Sequence, residues 1–372
     1  MLKLPSPCYV LEASKLLDNL KVFEHIQHNT GCKIILALKG FAMWGAFDLM
    51  RPYLHGATAS SLHEAMLAKE FGREVHVYAP AYKESEFSQL MALADHITFN
   101  SVSNWQRFQQ DIAQSSKYTA CALRINPEIS EVSTALYNPC ARGSRLGIVA
   151  DQMPESIEEI EGFHVHALCG SDDQALARLL QAIEEKFSHW LPHIKWLNLG
   201  GGHHITRQGY DVAHLIQLLN AFSQKHQVQL YLEPGEAVGW QTGYLTSTVL
   251  DVVHNDVDIA ILDTSAAAHM PDCLEMPYRP DVRGAKEVGV LAHDYRLGGA
   301  SCLAGDVMGD YSFAQPLEVG QSIIFEDMIH YTFVKNNTFN GIQLPALAIQ
   351  DLDGHMNILR QFSYDDYKYR LS

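Results

Sequence analysis

The chain has 372 residues, 47% hydrophobic and 19% charged, and its 43 acidic side chains against 27 basic ones leave a formal net charge of −16. Such a composition suits a globular chain long enough for a large domain and a second one, and so acidic a surface disfavours nucleic acid and anionic membranes while admitting cationic small substrates. The seven cysteines are scattered and contain no C-x-x-C pair, which argues against a disulfide framework and a zinc knuckle; the start MLKLPSPCYVLEAS lacks a signal-peptide core and no apolar run reaches spanning length, so cytoplasm is the expected compartment.

In chain order, Ser14–Gln27 reads as a leading helix. Candidate strands follow over Lys33–Leu38, Leu54–Ala59, Val75–Ala79, His96–Phe99, Ala120–Ile125, Phe163–Ala167, Lys195–Leu199 and Gln229–Glu233. Helical patterns lie between them at Ser61–Phe71, Ser103–Gln114, Asp173–His189 and Asp211–His226; in the last, Leu215, Leu218, Leu219 and Phe222 share one face. Eight strands, mostly separated by helices, predict a (β/α)8 TIM-like barrel over residues 11–239. Beyond Gly239 the texture changes to β-branched, aromatic, turn-punctuated stretches such as TGYLTSTVLDVV and QSIIFED. These predict a β-rich domain over 240–372, joined by residues 1–10.

In a barrel of this kind the active site lies at the carboxyl ends of the strands. The run ILALKGF brings Lys39 to the first such end, FHVHALCGS brings His166 to the sixth, LNLGGGHHI brings Gly200, Gly201 and Gly202 to the seventh, and YLEPGEAVGW brings Glu233 to the eighth. A lysine at a strand end is usually structural, its ammonium reaching water or a carboxylate. Held among apolar walls instead, its pKa falls and it can form a Schiff base with an aldehyde. Three glycines after a strand let backbone N–H groups close around a phosphate. A strand-end carboxylate either pairs with a nearby cation or keeps a pyridine nitrogen protonated. His164 and His166 alternate on one strand face; without a third ligand at suitable spacing no metal is expected, and a histidine lying on a cofactor ring competes with a hydrogen-bonded core histidine. Finally, GGASCLAGDVMGDY places Cys302 and Asp306 in a glycine-flanked loop suited to covering an active site. Together, a strand-end lysine, a phosphate-sized glycine cluster and a strand-end glutamate describe a pyridoxal 5'-phosphate site.

With these residues in view, the sequence resembles the pyridoxal-phosphate decarboxylases of the alanine-racemase-like fold, which include ornithine, arginine and diaminopimelate decarboxylases. Within that group it is most similar to the carboxynorspermidine/carboxyspermidine decarboxylases. The matching segments are ALKGF, ATASSLHEA, RINPE with YNPCARGSRLG, HVHALC, LNLGGGHHI, EPGEA, HMPDCLEMPYRP, SCLAGDVMGDY and HYTFVKNNTFNG, in the family's order. The resemblance implies that Lys39 carries the cofactor, that His166 stacks on its ring, and that Gly200, Gly201 and Gly202 take the phosphate, supported by Tyr331. It also implies that Glu233 faces the pyridine nitrogen, and that Cys302 enters the site of a partner subunit in a homodimer with shared active sites. One departure is the continuation HVHALCGSDDQ, which leaves Cys169 and Ser171 without an assigned part.

The substrate expectation turns on Glu236. Related decarboxylases usually carry EPGR, whose arginine suits an anion. Here the tetrad reads EPGE, and an acid in that place repels a distal carboxylate and attracts an ammonium. Asp272, in HMPDCLE, and Asp306 are further acids that the resemblance brings to the substrate. The implied reaction is decarboxylation of carboxynorspermidine to norspermidine and of carboxyspermidine to spermidine, in polyamine biosynthesis. The alternatives are a diaminopimelate- or arginine-type decarboxylase, or a racemase, on the same fold, and a non-catalytic pyridoxal-phosphate carrier. Such carriers are usually a barrel without a β-domain.

Overall fold

A computed structural model describes residues 4–132 and 135–372; positions 1–3, within the segment expected to join the β-rich domain, lie outside the described residues. The chain divides into two compact units, one of Met1–Leu17 with Gly239–Ser372 and the other of Asp18–Val238.

The first strand, β1 (Cys8–Glu12), is followed by helix α1 (Ala13–Thr30). Eight parallel strands then close into a barrel in sequence order: β2 (Lys33–Ala37), β3 (Gly56–Ala59), β4 (Glu74–Tyr78), β5 (His96–Phe99), β6 (Ala120–Arg124), β7 (Gly162–His164), β8 (Trp196–Asn198) and β9 (Gln229–Leu232). Register closes the ring where Lys33 pairs with Tyr231 and Ile34 with Leu232. All eight predicted strands are present. Several stop earlier than expected, because their last residues turn out of the ladder to form the barrel mouth.

Helices α2 (Phe47–Met50), α3 (Leu62–Glu70), α4 (Glu84–Leu93), α5 (Val102–Gln114), α6 (Asp173–Phe187) and α7 (Val212–His226) fill most of the crossovers. The starts of α3, α5, α6 and α7 are set by side-chain caps. Ser61 accepts from the Glu64 N–H, Ser101 from Asn104, Asp172 from Ala175 and Asp211 from His214, each cap worth about 0.5–2 kcal/mol. Among the described residues, the connection from β6 to β7 has no α-helix, only 3-10 turns at Ala135–Tyr137 and Ala150–Gln152. Ile35, Ala122, Trp196 and Tyr231, from β2, β6, β8 and β9, meet in one buried cluster across the barrel interior. Burying a side chain of the size of Ile35 contributes roughly 1.5–3 kcal/mol.

The other unit is a mixed sheet organised by β10 (Gly243–Asn255). Strand β10 pairs with β1, with β11 (Val257–Leu262) and with β14 (Ser322–Glu326). Outward from β11 lie β12 (His293–Gly298) and β13 (Val307–Phe313); outward from β1 lie β15 (Ala346–Gln350) and β16 (Met356–Arg360). Cys8, Val10, Ala346 and Ala348 form a buried cluster on β1 and β15, covered by Leu4, Tyr244 and Met356. Among the described residues, no helix is long and apolar enough to cross a membrane.

Candidate active site

Strand β2 ends at Ala37, and a turn follows in which the Gly40 and Phe41 N–H groups donate to the Ala37 carbonyl at 3.0 and 3.1 Å. Lys39 leaves the strand in this turn with its side chain accessible. Its ammonium is nevertheless ringed by protein that strips its hydration, and this burial lowers its pKa below 10.5; Arg124 adds to the effect, while Glu233 opposes it. Loss of hydration around the ammonium favours the neutral amine.

Glu233 follows β9 directly, anchored by its N–H to the Gly200 carbonyl at 2.8 Å. The side chain is buried. Asn198 Nδ2 donates to Oε1 at 2.7 Å, and His164 Nε2 lies 3.3 Å from Oε2. Burial alone raises a carboxylate pKa, but contact with His164 and the influence of His76 and Lys39 outweigh it and bring Glu233 down to about 2. Glu233 is therefore an anion with each oxygen held by one donor.

His166 lies two residues beyond β7. Its Nδ1 accepts from the Gly201 N–H at 3.0 Å, which puts the proton of the neutral ring on Nε2. Burial and then the nearby Lys39 and Arg124 charges push its pKa well below 6.5, so the ring is neutral. Arg124, buried at the end of β6, donates from Nη2 to the His166 carbonyl at 3.1 Å and fixes this backbone. The Gly200 N–H donates to Asn198 Oδ1 at 2.9 Å. Gly202 has φ +86, and a Cβ there would lie 2.0 Å from the Leu168 carbonyl oxygen, so only glycine fits.

Glu236 opens the short helix Glu236–Gly239, and His204 Nε2 lies 3.3 Å from its Oε1. Cys169 shares this neighbourhood: burial and then Glu236 raise its thiol pKa, and Lys39 opposes them. Ser171 joins the CGSDD loop to the glycine loop, its N–H donating to the Gly202 carbonyl at 2.8 Å and its carbonyl accepting from the His204 N–H at 3.0 Å. The barrel unit thus brings together Lys39, His166, Gly200, Gly201, Gly202, Glu233 and Glu236.

The remaining candidates belong to the sheet unit. Cys302 is exposed on the β12–β13 loop, its N–H donating to Asn340 Oδ1 at 2.8 Å. Asp306 is buried and organises that loop, its carboxylate accepting from the Ala267 and Ser301 N–H groups at 3.2 and 3.0 Å. Asp272 shares Lys335 with Glu275 in an ion-paired triad. Tyr331 precedes the short helix Thr332–Lys335 with φ 33, a conformation rare for a non-glycine residue.

Reading the chain alone missed Asn198, Arg124 and His204. The available signal was a polar residue at the carboxyl end of a barrel strand or just beyond it, the rule that singled out Glu233. At the opposite strand ends, Glu74, His76 and His96 offer donor atoms within 4.8 Å of one another. There, however, Glu74 is bonded to Lys33, and the two imidazoles stack at 4.0 Å and 14°, an arrangement of packing rather than of rings converging on one ion.

The barrel residues fit pyridoxal phosphate: an accessible amine with lowered pKa suits its aldehyde, an ionised carboxylate with lone pairs to spare suits its ring nitrogen, and a neutral imidazole locked in orientation suits a ring face. Residues 8–329 match a family described as pyridoxal-dependent decarboxylase, C-terminal sheet domain. The chain is 50% identical over 372 residues to carboxyaminopropylagmatine decarboxylase of Synechocystis sp., covering 99% of this chain and 96% of that protein. It is 46% identical over 381 residues to carboxynorspermidine/carboxyspermidine decarboxylase of Campylobacter jejuni, covering 99% of each. The crystal structure of carboxynorspermidine decarboxylase complexed with norspermidine, from the same organism, matches with a TM-score of 0.91 and 45% identity, over 98% of this chain and 99% of that one. A closed parallel barrel with a separate mixed sheet, a family match across most of the chain and full-length relatives at this identity lead to one conclusion: the chain belongs to the pyridoxal-dependent decarboxylases.

Proposed function

We propose that the protein removes the α-carboxylate of a carboxylated polyamine, converting carboxynorspermidine to norspermidine and carboxyspermidine to spermidine. The observation that carries this reading is Glu236, an acid in the neighbourhood of Lys39 where an anion-binding arginine would favour a dicarboxylate substrate. The 46% identical relative named for these two substrates supports it. The 50% identical relative named for carboxyaminopropylagmatine favours a second reading, in which the distal cation is a guanidinium rather than an amine.

When bound, pyridoxal phosphate supplies an electron sink for the carbon that loses CO2. Lys39 would hold the cofactor through Nζ, and the burial that lowers its pKa favours the neutral amine form needed to accept a proton. Glu233, an anion, would face the ring nitrogen, and His166, held by the Gly201 N–H, would lie on a ring face. Because the Gly200 and Gly201 amides are bonded within the protein, the phosphate falls to Gly202 and the backbone after it, with Tyr331 in support. Asp272 and Asp306 add negative charge for a polyamine, and Cys302 serves as a proton donor at a site completed by a second copy of the chain. In this reading the protein works in the cytoplasm as a homodimer.

The test is CO2 release from carboxynorspermidine, carboxyspermidine, carboxyaminopropylagmatine, diaminopimelate, ornithine and arginine under one set of conditions. Turnover of a carboxylated polyamine at least a hundredfold above the three amino acids is expected. Preference for diaminopimelate, or no CO2 from any carboxylated polyamine, would overturn the proposal.

A further inference from the structure

Glu233 is held by two neighbours that the chain sequence places far from it, and one of them has a protonation state that can be deduced. His164 is the last residue of β7 and is 3% exposed. One edge of its imidazole meets Glu233, with Nε2 3.3 Å from Oε2. One face stacks on the Tyr78 ring, at 5.2 Å and 25°. Tyr78 is itself fixed, its hydroxyl donating to Asn100 Oδ1 at 2.8 Å and its ring lying 4.6 Å from the Arg124 guanidinium. The imidazole is therefore clamped between a carboxylate and an aromatic face.

Its other nitrogen, Nδ1, is buried and has no hydrogen-bond partner among the described residues. This asymmetry selects the tautomer. A proton on Nδ1 would bury an orphan N–H and aim the Nε2 lone pair at a carboxylate oxygen, two penalties at once. A doubly protonated ring would satisfy Nε2 but still bury the orphan N–H along with a charge. A neutral ring with its proton on Nε2 meets every constraint, and burial, the largest influence on this imidazole, also favours the neutral form.

We propose that His164 is a positioning residue for Glu233: as the neutral Nε2–H tautomer it donates to Oε2 and, with Asn198 on Oε1, fixes the orientation of the carboxylate without cancelling its charge. An imidazolium here would neutralise the anion, whereas a neutral donor leaves the whole negative charge available to the cofactor's ring nitrogen. The proposal rests on the role given to Glu233 above.

The test uses the holoenzyme loaded with pyridoxal phosphate labelled with 15N in its ring, with His164→Leu, His164→Asn and His164→Gln beside the wild type. The wild type is expected to show a protonated ring nitrogen. His164→Leu has no donor and His164→Asn is too short to reach, so both should shift that signal toward the neutral pyridine. In both, kcat should fall about ten- to a hundredfold, the loss of one hydrogen bond to a charged group, with KM changed much less. His164→Gln restores an N–H donor and should recover most of both signals. A folded, loaded His164→Leu or His164→Asn enzyme with wild-type 15N shift and kcat would overturn the proposal. Should neither variant fold, 15N spectra of histidine-labelled wild type decide, and a proton on Nδ1 of His164 would overturn it. An unprotonated cofactor nitrogen in the wild type would instead remove the role of Glu233, and this proposal with it.

Discussion

Gly40 and Gly235 pack backbone against backbone: a Cβ on Gly40 would lie 2.8 Å from the Gly235 Cα, and one on Gly235 would lie 3.0 Å from the Gly40 Cα. The contact joins the turn that carries Lys39 to the turn between Glu233 and Glu236, and the Ala37 N–H bond to the Pro234 carbonyl at 3.0 Å reinforces it. Two motifs about two hundred positions apart thus carry glycine for one reason, the close approach of two loops.

Gly40→Ala should therefore separate the two loops. Overpacking of this kind costs roughly 1–3 kcal/mol, and here the displacement falls on the candidate site. We expect weaker pyridoxal phosphate binding and at least a tenfold loss of turnover, with a melting temperature lowered by only a few degrees. Absorbance titration and calorimetry measure the two effects separately, and wild-type cofactor affinity would refute the expectation.

The lowered pKa of Lys39 has a consequence in cofactor-free protein. A folded-state pKa below 10.5 means that its neutral amine accumulates at lower pH than that of an exposed lysine. Competitive acylation across a pH series should show Lys39 titrating below the ordinary lysine value of 10.5. Glu233 acts to raise the Lys39 pKa, so Glu233→Gln should move the Lys39 midpoint lower still. Borohydride treatment of the holoenzyme should fix the cofactor on Lys39, and Lys39→Ala should abolish turnover. A label on another lysine would sink the assignment.

Substrate charge gives the third expectation. Glu236→Arg and Glu236→Gln should raise KM for carboxynorspermidine about ten- to a hundredfold, the loss of one charge-assisted contact. The visible absorbance of the cofactor should change little. Asp272→Ala should have a smaller effect, since Lys335 already compensates that carboxylate. Unchanged KM in both Glu236 variants would leave the acid with no part in substrate choice.

The shared-site homodimer is tested by mixing inactive Lys39→Ala and Cys302→Ala chains under exchange conditions. If sites are completed across a two-fold interface, half of the randomly paired dimers are hybrids with one intact site of two, so recovery up to about a quarter of wild-type activity is expected. Confirmed chain exchange without recovery would mean that each chain completes its own site.

The barrel was legible in the chain because its signals are local. Apolar runs of a strand's length alternate with helical periodicity, and Ser61, Ser101, Asp172 and Asp211 mark helix starts by capping amides three residues away. The glycine cluster, Lys39 and Glu233 were legible for a related reason: each stands at a strand's carboxyl end, where a barrel collects its chemistry. Nothing comparable announced that β6 and β7 would be joined without an α-helix, since the residues between them carry no strong period of either kind.

By itself, then, the sequence determined the order of elements, the strand ends at which the candidate site residues stand, and the residue types placed there. Only the tertiary structure decided how those residues are held. Glu233 takes its donors from 35 and 69 positions away, Gly201 holds His166 across 35, and Gly235 backs onto Gly40 across the barrel closure. Capping and periodicity act between neighbours a few residues apart. Contacts across a barrel depend on strand register, where a slip of one residue sends every side chain to the opposite face. That register comes from packing of the whole ring, so the partners of Glu233 are a property of the closed barrel and of no segment within it.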